Sequence, residues 1–135
     1  MKNEYAGLLH GIDLVEVERF RDLISRRPTI INRLFCESEI SYCNKSPDPS
    51  ERYAVRFAAK EAIIKALGRG LWDISFKDVR IEKDPRGKPE VVLSGRALAL
   101  SQGYGVDRWI VSLSHTGSAA MASVIGLASQ GTSAN

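Results

Sequence analysis

The chain has 135 residues, of which 44% are hydrophobic and 26% are charged, and its formal net charge is +3. These values are ordinary for one globular domain, and a mild excess of Lys and Arg selects no partner by itself. No apolar run approaches the ~18 residues of a membrane-spanning helix, and the sequence shows no secretory signal. We therefore expect a single cytoplasmic domain over residues 1–135, with no membrane partner.

The two cysteines, Cys36 and Cys43, bear on the redox environment. If both lie on one helix, their spacing separates them by about 10 Å along its axis, which is too far for a disulfide. We expect reduced, partly buried thiols, as is usual in the cytosol.

The first predicted element is a strand. Residues 7–15 are apolar and β-compatible, and we expect this strand to end near Asp13. Helical spacing follows, and Asp13 with Glu16 has the spacing of a capping box at the start of that helix. A shorter second helix is predicted over residues 33–43.

The third predicted helix has the clearest boundaries. Asp48 is a candidate N-cap, Pro49 suits the first helical position, Glu51 completes a second capping box and Gly68 ends the helix. Apolar side chains surround almost the whole helix, so other parts of the protein should cover it.

The rest of the chain predicts two hairpins and one helix. Residues 84–87 form the turn of the first hairpin, Ser94 caps a fourth helix, and strands flank residues 115–117 in the second hairpin. The order is β-α-α-α-β-β-α-β-β. This pattern favours an α+β fold in which helices pack on a mostly antiparallel sheet.

Glu61 is unexpected within the apolar third helix. An ionised carboxylate there is unfavourable unless a cation compensates it, and a helix-surface pair with Lys65 is one explanation. The other explanation involves Asp13, which follows Gly11, a residue without a side chain to obstruct close approach. Two carboxylates from separate elements are the minimal protein contribution to a Mg²⁺ site whose other ligands are water and substrate phosphate. Spacing alone does not decide between the two.

Positive charge and glycines gather near the end of the same helix, which with a metal indicates a polyphosphate ligand. A plain helix C-cap explains the glycines equally well. The residues are Arg56, Lys60, Lys65, Gly68, Arg69 and Gly70.

Four segments together resemble a known family. They are Gly11-Ile12-Asp13, RFAAKEA at residues 56–62 followed by Lys65-Ala66, Gly87-Lys88-Pro89, and SLSHT at residues 112–116. In this order they resemble holo-acyl-carrier-protein synthase, the small bacterial type of phosphopantetheinyl transferase. The resemblance covers about residues 8–127 and implies the phosphopantetheinyl transferase fold.

The resemblance also implies a reaction. The phosphopantetheine arm of coenzyme A is transferred to a serine of apo acyl carrier protein, and adenosine 3',5'-bisphosphate is left. Asp13 and Glu61 would hold Mg²⁺, and Lys65 would stabilise the pyrophosphate, so these three are the expected catalytic residues. Either a metal-bound water or Glu61 would take the serine proton.

The remaining site residues are expected on coenzyme A or on the carrier protein. Arg56 and His115 resemble contacts to the phosphates, and the turn with Lys88 and Pro89 would lie beside the adenosine. Further expected coenzyme A contacts are Lys60, Gly68, Gly70, Ser114 and Thr116. The basic strip of Arg19, Leu23, Arg26 and Arg27 would bind an acidic acyl carrier protein. The family also implies a homotrimer with active sites between subunits.

Other interpretations stay open for some of these features. The basic strip is also what a solvated helix face would show. A nucleic-acid-binding module is a second class of function, but the chain lacks the aromatic-basic interleaving of stacking platforms, so we expect no nucleic-acid partner. A protein that retains coenzyme A without turnover is a third.

Overall fold

The computed structural model describes residues 7–70 and 73–129. The elements are β1 (Leu8–Glu16), α1 (Val17–Arg26), α2 (Ile30–Leu34), α3 (Glu37–Cys43), α4 (Pro49–Ala66), a 3-10 turn (Phe76–Asp78), β2 (Val79–Lys83), β3 (Pro89–Leu93), α5 (Gly95–Gly103), β4 (Arg108–His115) and β5 (Ala119–Leu127).

The strands form two sheets. β1, β5 and β4 form a three-stranded sheet in that order, and β2 and β3 form a separate two-stranded sheet. All strand pairs are antiparallel. The predicted α+β class and order are confirmed, with the predicted second helix present as two pieces.

The first strand is longer than the sequence predicts. β1 pairs with β5 as far as Glu16, so α1 begins only at Val17. The predicted capping box of Asp13 and Glu16 is therefore wrong: the ladder with β5 holds Asp13 in extended conformation, and Glu16 makes no side-chain capping bond.

The central helix, α4, has the bounds that the sequence predicts. Pro49 is its first residue, and Gly68, with a φ of 71°, follows its C-cap. The N–H of Gly68 donates to the carbonyl of Lys65 at 2.9 Å, and the N–H of Arg69 donates to that of Ile64 at 3.2 Å. These two bonds are those of a Schellman motif, which closes the helix.

The capping box predicted at the start of α4 is wrong. Asp48 makes no capping bond, because its carboxylate accepts a 2.6 Å hydrogen bond from Arg21 of α1. Glu51 Oε1 instead lies 3.0 Å from Nδ1 of His115 on β4. Both acids thus have side-chain partners that are distant in sequence, in place of local backbone.

Apolar core lies on two sides of α4. Toward the sheet, Ile63 packs in a cluster with Val124. On the other side, Phe35 packs against Tyr53 with their ring centroids 4.9 Å apart. This two-sided burial explains why α4 is apolar almost all the way round. Within the described ranges, no helix has the length and apolar content needed to cross a membrane.

Both cysteines are free, as predicted. Burial raises the pKa of the Cys43 thiol to about 11. Since the thiolate is the reactive form, this thiol is inert at neutral pH.

β1 crosses α4 so closely that residue 11 has to be glycine. A Cβ atom on Gly11 would overlap the carbonyl oxygen of Ala62 and lie 3.1 Å from the Cβ of Ala66. Residues two apart on a strand share a face, so this contact also directs Asp13 toward the helix.

Replacing Gly11 by Ala should therefore destabilise the protein. The added methyl group meets helix backbone rather than a movable side chain, and we expect the free energy of unfolding to fall by about 1–3 kcal/mol. Urea unfolding of the full chain would measure it. Gly103→Ala is the matched control, because a Cβ there meets nothing within 4 Å, and this variant should be unchanged or about 0.4–1 kcal/mol more stable. Equal effects of the two substitutions would contradict the close approach.

Candidate active site

The structure brings Asp13 of β1 and Glu61 of α4 together. The two carboxyl groups are close enough for Asp13 to accept a hydrogen bond from protonated Glu61 and to repel its ionised form. Lys65, one turn further along α4, donates from Nζ to the carbonyl of Ile12 at 2.9 Å and to Asp13 Oδ1 at 3.1 Å. The three residues that are predicted to be catalytic, Asp13, Glu61 and Lys65, are thus neighbours in the structure.

Glu61 titrates near neutral pH in this setting. Burial, the charge of Asp13 and the hydrogen bond to Asp13 raise its pKa from 4.5 to about 7, against the opposing charge of Lys65. An added cation would relieve the repulsion between the two carboxylates and favour ionised Glu61.

The acid pair fits a hard divalent cation. Asp13 Oδ2 is buried without a hydrogen-bond partner among the described residues, and such an atom in a native structure calls for an unseen partner such as an ion. Mg²⁺ is held by one or two carboxylates and keeps several waters. Nowhere in residues 7–70 and 73–129 do three or more His, Cys, Asp or Glu side chains gather. Water and substrate oxygens would have to complete the coordination.

An open cavity of about 680 Å³ lies between α3, α4, the β2–β3 turn and β4. Its volume is in the range of small-molecule sites. The predicted residues on its walls are Arg56, Lys88, Pro89 and His115. Residues on its walls that sequence reasoning did not single out as ligand contacts include Tyr42, Glu51, Arg52 and Lys83.

Three cations surround the ring of Tyr42 in this cavity. Arg52, Arg56 and Lys83 place their charged groups 4.2, 4.1 and 4.8 Å from the ring centroid. Burial by itself would raise the pKa of the Tyr42 phenol, but a hydrogen bond from Lys83 and the three positive charges lower it. The same concentration of positive charge favours an anionic ligand.

Arg56 and His115 each keep a nitrogen for such a ligand. Arg56 is only 4% exposed, and its Nε has no hydrogen-bond partner in the described part of the chain. His115 Nδ1 lies 3.0 Å from Glu51 Oε1, which leaves Nε2 for a ligand. A guanidinium and an imidazole in one basic cavity are suitable for binding phosphate oxygens.

One residue predicted to contact substrate is elsewhere. Lys60 has 0% exposure, and its ammonium is 2.9 Å from Glu39 Oε1 in a fully buried ion pair. The prediction is corrected, because helical spacing places Lys60 near Arg56 but cannot show that α3 and β2 cover it.

Four further residues that the sequence predicts as coenzyme A contacts do not line the basic cavity. Gly68 ends α4, and Gly70 is exposed just beyond it. Thr116 Oγ1 accepts hydrogen bonds from the N–H groups of Ser118 and Ala119, so it shapes the β4–β5 turn. Ser114 is exposed on β4 near that turn.

The predicted carrier-binding strip lies along α1. Arg19 and Arg26 are exposed on the helix, and Arg27 is exposed at its C-cap. Leu23 is half-buried against the aromatic side of the core. The charged ends therefore face solvent around a partly apolar centre.

The Asp13–Glu61 pair and the basic cavity lie on different sides of α4. A second cavity of about 280 Å³ lies beside Glu61 and is also lined by Arg19 and Phe20. Within the described residues, the two cavities share no wall residue. Arg56 and Glu61 are separated by about 140° around α4, which accounts for the two openings.

Comparison with known proteins identifies the family. A sequence model described as the 4'-phosphopantetheinyl transferase superfamily matches residues 10–121. The holo-[acyl-carrier-protein] synthase of Syntrophotalea carbinolica is 45% identical over 117 residues, which are 85% of this chain and 91% of that relative.

Two solved structures are similar in fold. The holo-[acyl-carrier-protein] synthase of Helicobacter pylori in complex with coenzyme A has a TM-score of 0.77 and 31% identity, covering 87% of this chain and 99% of the other. The one from Bacillus anthracis in complex with coenzyme A (3',5'-ADP) has a TM-score of 0.73 and 30% identity, covering 92% and 97%. The chain therefore belongs to the 4'-phosphopantetheinyl transferase superfamily, in its holo-[acyl-carrier-protein] synthase family, and is an enzyme of the transferase class.

The raised pKa of Glu61 makes stability depend on pH. The folded state holds this proton up to about pH 7 and the unfolded state only up to about 4.5, so this residue lowers the free energy of unfolding as pH rises through that window. Glu61→Gln should lose this component and should be more stable than the parent at about pH 8 but not at about pH 4. Urea unfolding in the presence of EDTA would measure the difference.

The control for this experiment is Glu90→Gln, which removes the same charge from an exposed position on β3. Glu90 faces Glu82 across the β2–β3 ladder, so relief of that repulsion should change stability by about 1 kcal/mol at most, less than the change expected for Glu61→Gln. A Glu61→Gln effect that is the same at both pH values would contradict the shifted titration.

Proposed function

We propose that this enzyme transfers the 4'-phosphopantetheine group of coenzyme A to a serine of apo acyl carrier protein and leaves adenosine 3',5'-bisphosphate. The observation that carries the proposal is the Asp13–Glu61 pair beside Lys65. The names of its relatives support the carrier protein as acceptor, and two similar proteins bind coenzyme A.

Asp13 and Glu61 would hold Mg²⁺ through their carboxylate oxygens. When bound, the metal supplies Lewis-acid polarisation of the pyrophosphate. Glu61 has to release its proton to act as a ligand, so metal binding should strengthen as pH rises toward 7. Lys65 would exchange its contact with Asp13 for the phosphate oxygens and stabilise the charge that develops on the leaving group.

The nucleotide half of coenzyme A is assigned to the large basic cavity. Arg56 and His115 would meet its phosphates, and Lys88 and Pro89 would meet the adenosine. The attacking hydroxyl belongs to the carrier serine, so the enzyme needs no nucleophile of its own. The exposed arginines of α1 would bind the acidic carrier protein through opposite charge.

The separation of acids and basic cavity supports a homotrimer with active sites between subunits. Each subunit would supply its acid pair to the cavity of a neighbour. An uncovered apolar face of the three-stranded sheet supports this assembly, since such patches on a surface indicate an interface. Its large exposed members are Leu8 at 43%, Ile12 at 49% and Leu14 at 66% on β1, Ile110 at 41% on β4 and Met121 at 41% on β5.

The transfer itself is directly testable. Full-length enzyme, Mg²⁺, coenzyme A and apo acyl carrier protein should give carrier heavier by one phosphopantetheine group, as measured by mass spectrometry. Asp13→Asn and Glu61→Gln should each lower the initial rate by about 100-fold or more, since losing even an outer-shell partner of a metal ligand costs 10–100-fold.

Both variants should remain folded, which circular dichroism would check. Glu90→Gln is again the control and should keep its rate, because Glu90 lines neither cavity. If the unmodified enzyme leaves every tested carrier unchanged in mass, the proposed reaction is wrong. If one variant keeps full rate, that residue does not hold the metal.

A mixing experiment tests whether each site is shared. Glu61→Gln keeps the basic cavity, and His115→Ala keeps the acid pair, so trimers that contain both variants would assemble some intact sites. Co-expression in equal amounts should restore about a quarter of the parent rate, because that fraction of interfaces joins two intact halves. The rate is measured at low coenzyme A concentration, where each variant alone is inactive. Recovery no greater than the average of the two variants would place the whole site within one subunit.

A further inference from the structure

Lys60 lies within the sequence motif of the active-site helix but cannot touch a ligand. Its ammonium is fully buried and donates three hydrogen bonds, to Glu39 Oε1 at 2.9 Å, to the carbonyl of Phe76 at 2.9 Å and to the carbonyl of Val79 at 2.6 Å. An ammonium group has three hydrogens, so all of them are used. Burial lowers the pKa of Lys60, and the charge of Glu39 opposes that shift.

Glu39 completes the network from α3. Its Oε1 also accepts a 2.9 Å hydrogen bond from the N–H of Cys36, and its Oε2 accepts one of 3.0 Å from the N–H of Ile81. The buried pair therefore links two helices to the first strand of the β2–β3 hairpin.

The pair occupies the free edge of β2. Alternate residues of a strand direct their backbone groups to opposite edges, and here Val79 and Ile81 direct theirs to Lys60 and Glu39. The other edge pairs with β3, and the two strands share no ladder with the three-stranded sheet within the described residues. A two-stranded hairpin is marginally stable alone, so this anchor fixes the hairpin together with the packing of Val79 and Ile81 in the core.

Each residue of this buried network shares a face of its helix or strand with a residue that lines the large cavity. Glu39 is three residues before Tyr42 on α3, and Lys60 is four residues after Arg56 on α4, so each pair shares a helix face. Ile81 is two residues before Lys83 on β2 and shares its strand face. Of these cavity residues, Arg56 and Lys83 place their charged groups against the ring of Tyr42.

We propose that Glu39 and Lys60 are positioning residues, which set the spacing between the hairpin wall and the helical wall of the coenzyme A cavity. The inference rests on the proposed function, because it takes coenzyme A as the ligand of that cavity. The pair holds Arg56, Tyr42 and Lys83 at the separation that the phosphates require and makes no contact with the substrate.

The test removes the charged pair and measures binding apart from turnover. In Glu39→Gln/Lys60→Met both charges are lost at nearly constant volume, an exchange that buried ion pairs often tolerate. We expect the Kd for coenzyme A, from calorimetry on the full chain, to rise by about tenfold or more, as small displacements of binding groups can cause. The KM for coenzyme A should rise in parallel, while kcat at saturation stays within about threefold of the parent.

Amide hydrogen exchange gives a local readout. The N–H of Ile81 should exchange faster in the double variant, because its acceptor on Glu39 is altered. If the double variant does not fold, Glu39→Asp keeps both charges and shortens the carboxylate side chain by one methylene group, and a smaller rise in Kd is expected. Val106→Ala is the control: it removes buried core volume between α5 and β4, away from the cavity walls, and should lower the unfolding temperature without changing the Kd.

The possible outcomes separate two failures. If the unmodified enzyme does not bind coenzyme A, the proposed function fails. If it binds, but a folded variant of the pair binds equally well, only the positioning role fails. A similar loss of binding in Val106→Ala would also overturn that role, because general destabilisation would then explain the result.

Discussion

The active site depends on how closely β1 can lie against α4. The contact is possible because residue 11 has no side chain and the facing turn of the helix carries Ala62 and Ala66. Strand geometry then directs Asp13 toward the helix at Glu61. Packing of small residues thus holds two acids together against their mutual repulsion, and the raised pKa of Glu61 is the electrostatic consequence. In the proposed function, a bound divalent cation would relieve this repulsion.

α4 places three charged residues of one short segment in three different environments. Arg56 is buried beneath the rim of an open cavity and rests on the ring of Tyr42. Lys60 is enclosed and neutralised by Glu39. Glu61 faces Asp13 on the opposite side. Helical rotation of about 100° per residue turns Glu61 away from the face that Arg56 and Lys60 share, so α3 contacts the two cations while β1 brings Asp13 to the acid.

The incorrect predictions have a common physical origin. The capping box predicted at the start of α4 rests on local spacing, but Asp48 pairs with Arg21 and Glu51 with His115. Similarly, Lys60 was assigned to substrate by its place in a basic segment, while its actual partner is on α3. In each case a charged side chain found a partner distant in sequence, which no local pattern contains. Arg52 was accessible to sequence reasoning, since it is one turn from Arg56.

The sequence alone determined the features that short-range interactions encode. These are the bounds of α4, from Pro49 and Gly68, and the two hairpins, from their turn residues. The sequence motifs also determined the family. The tertiary structure decided which charges are buried, which face a ligand and which face each other. It left Arg56 on the wall of the cavity and buried Lys60, and it brought Asp13 close to Glu61. Secondary structure depends on neighbours within a few residues, whereas the ionisation and accessibility of a side chain depend on every element packed around it, and those elements come from all parts of the chain.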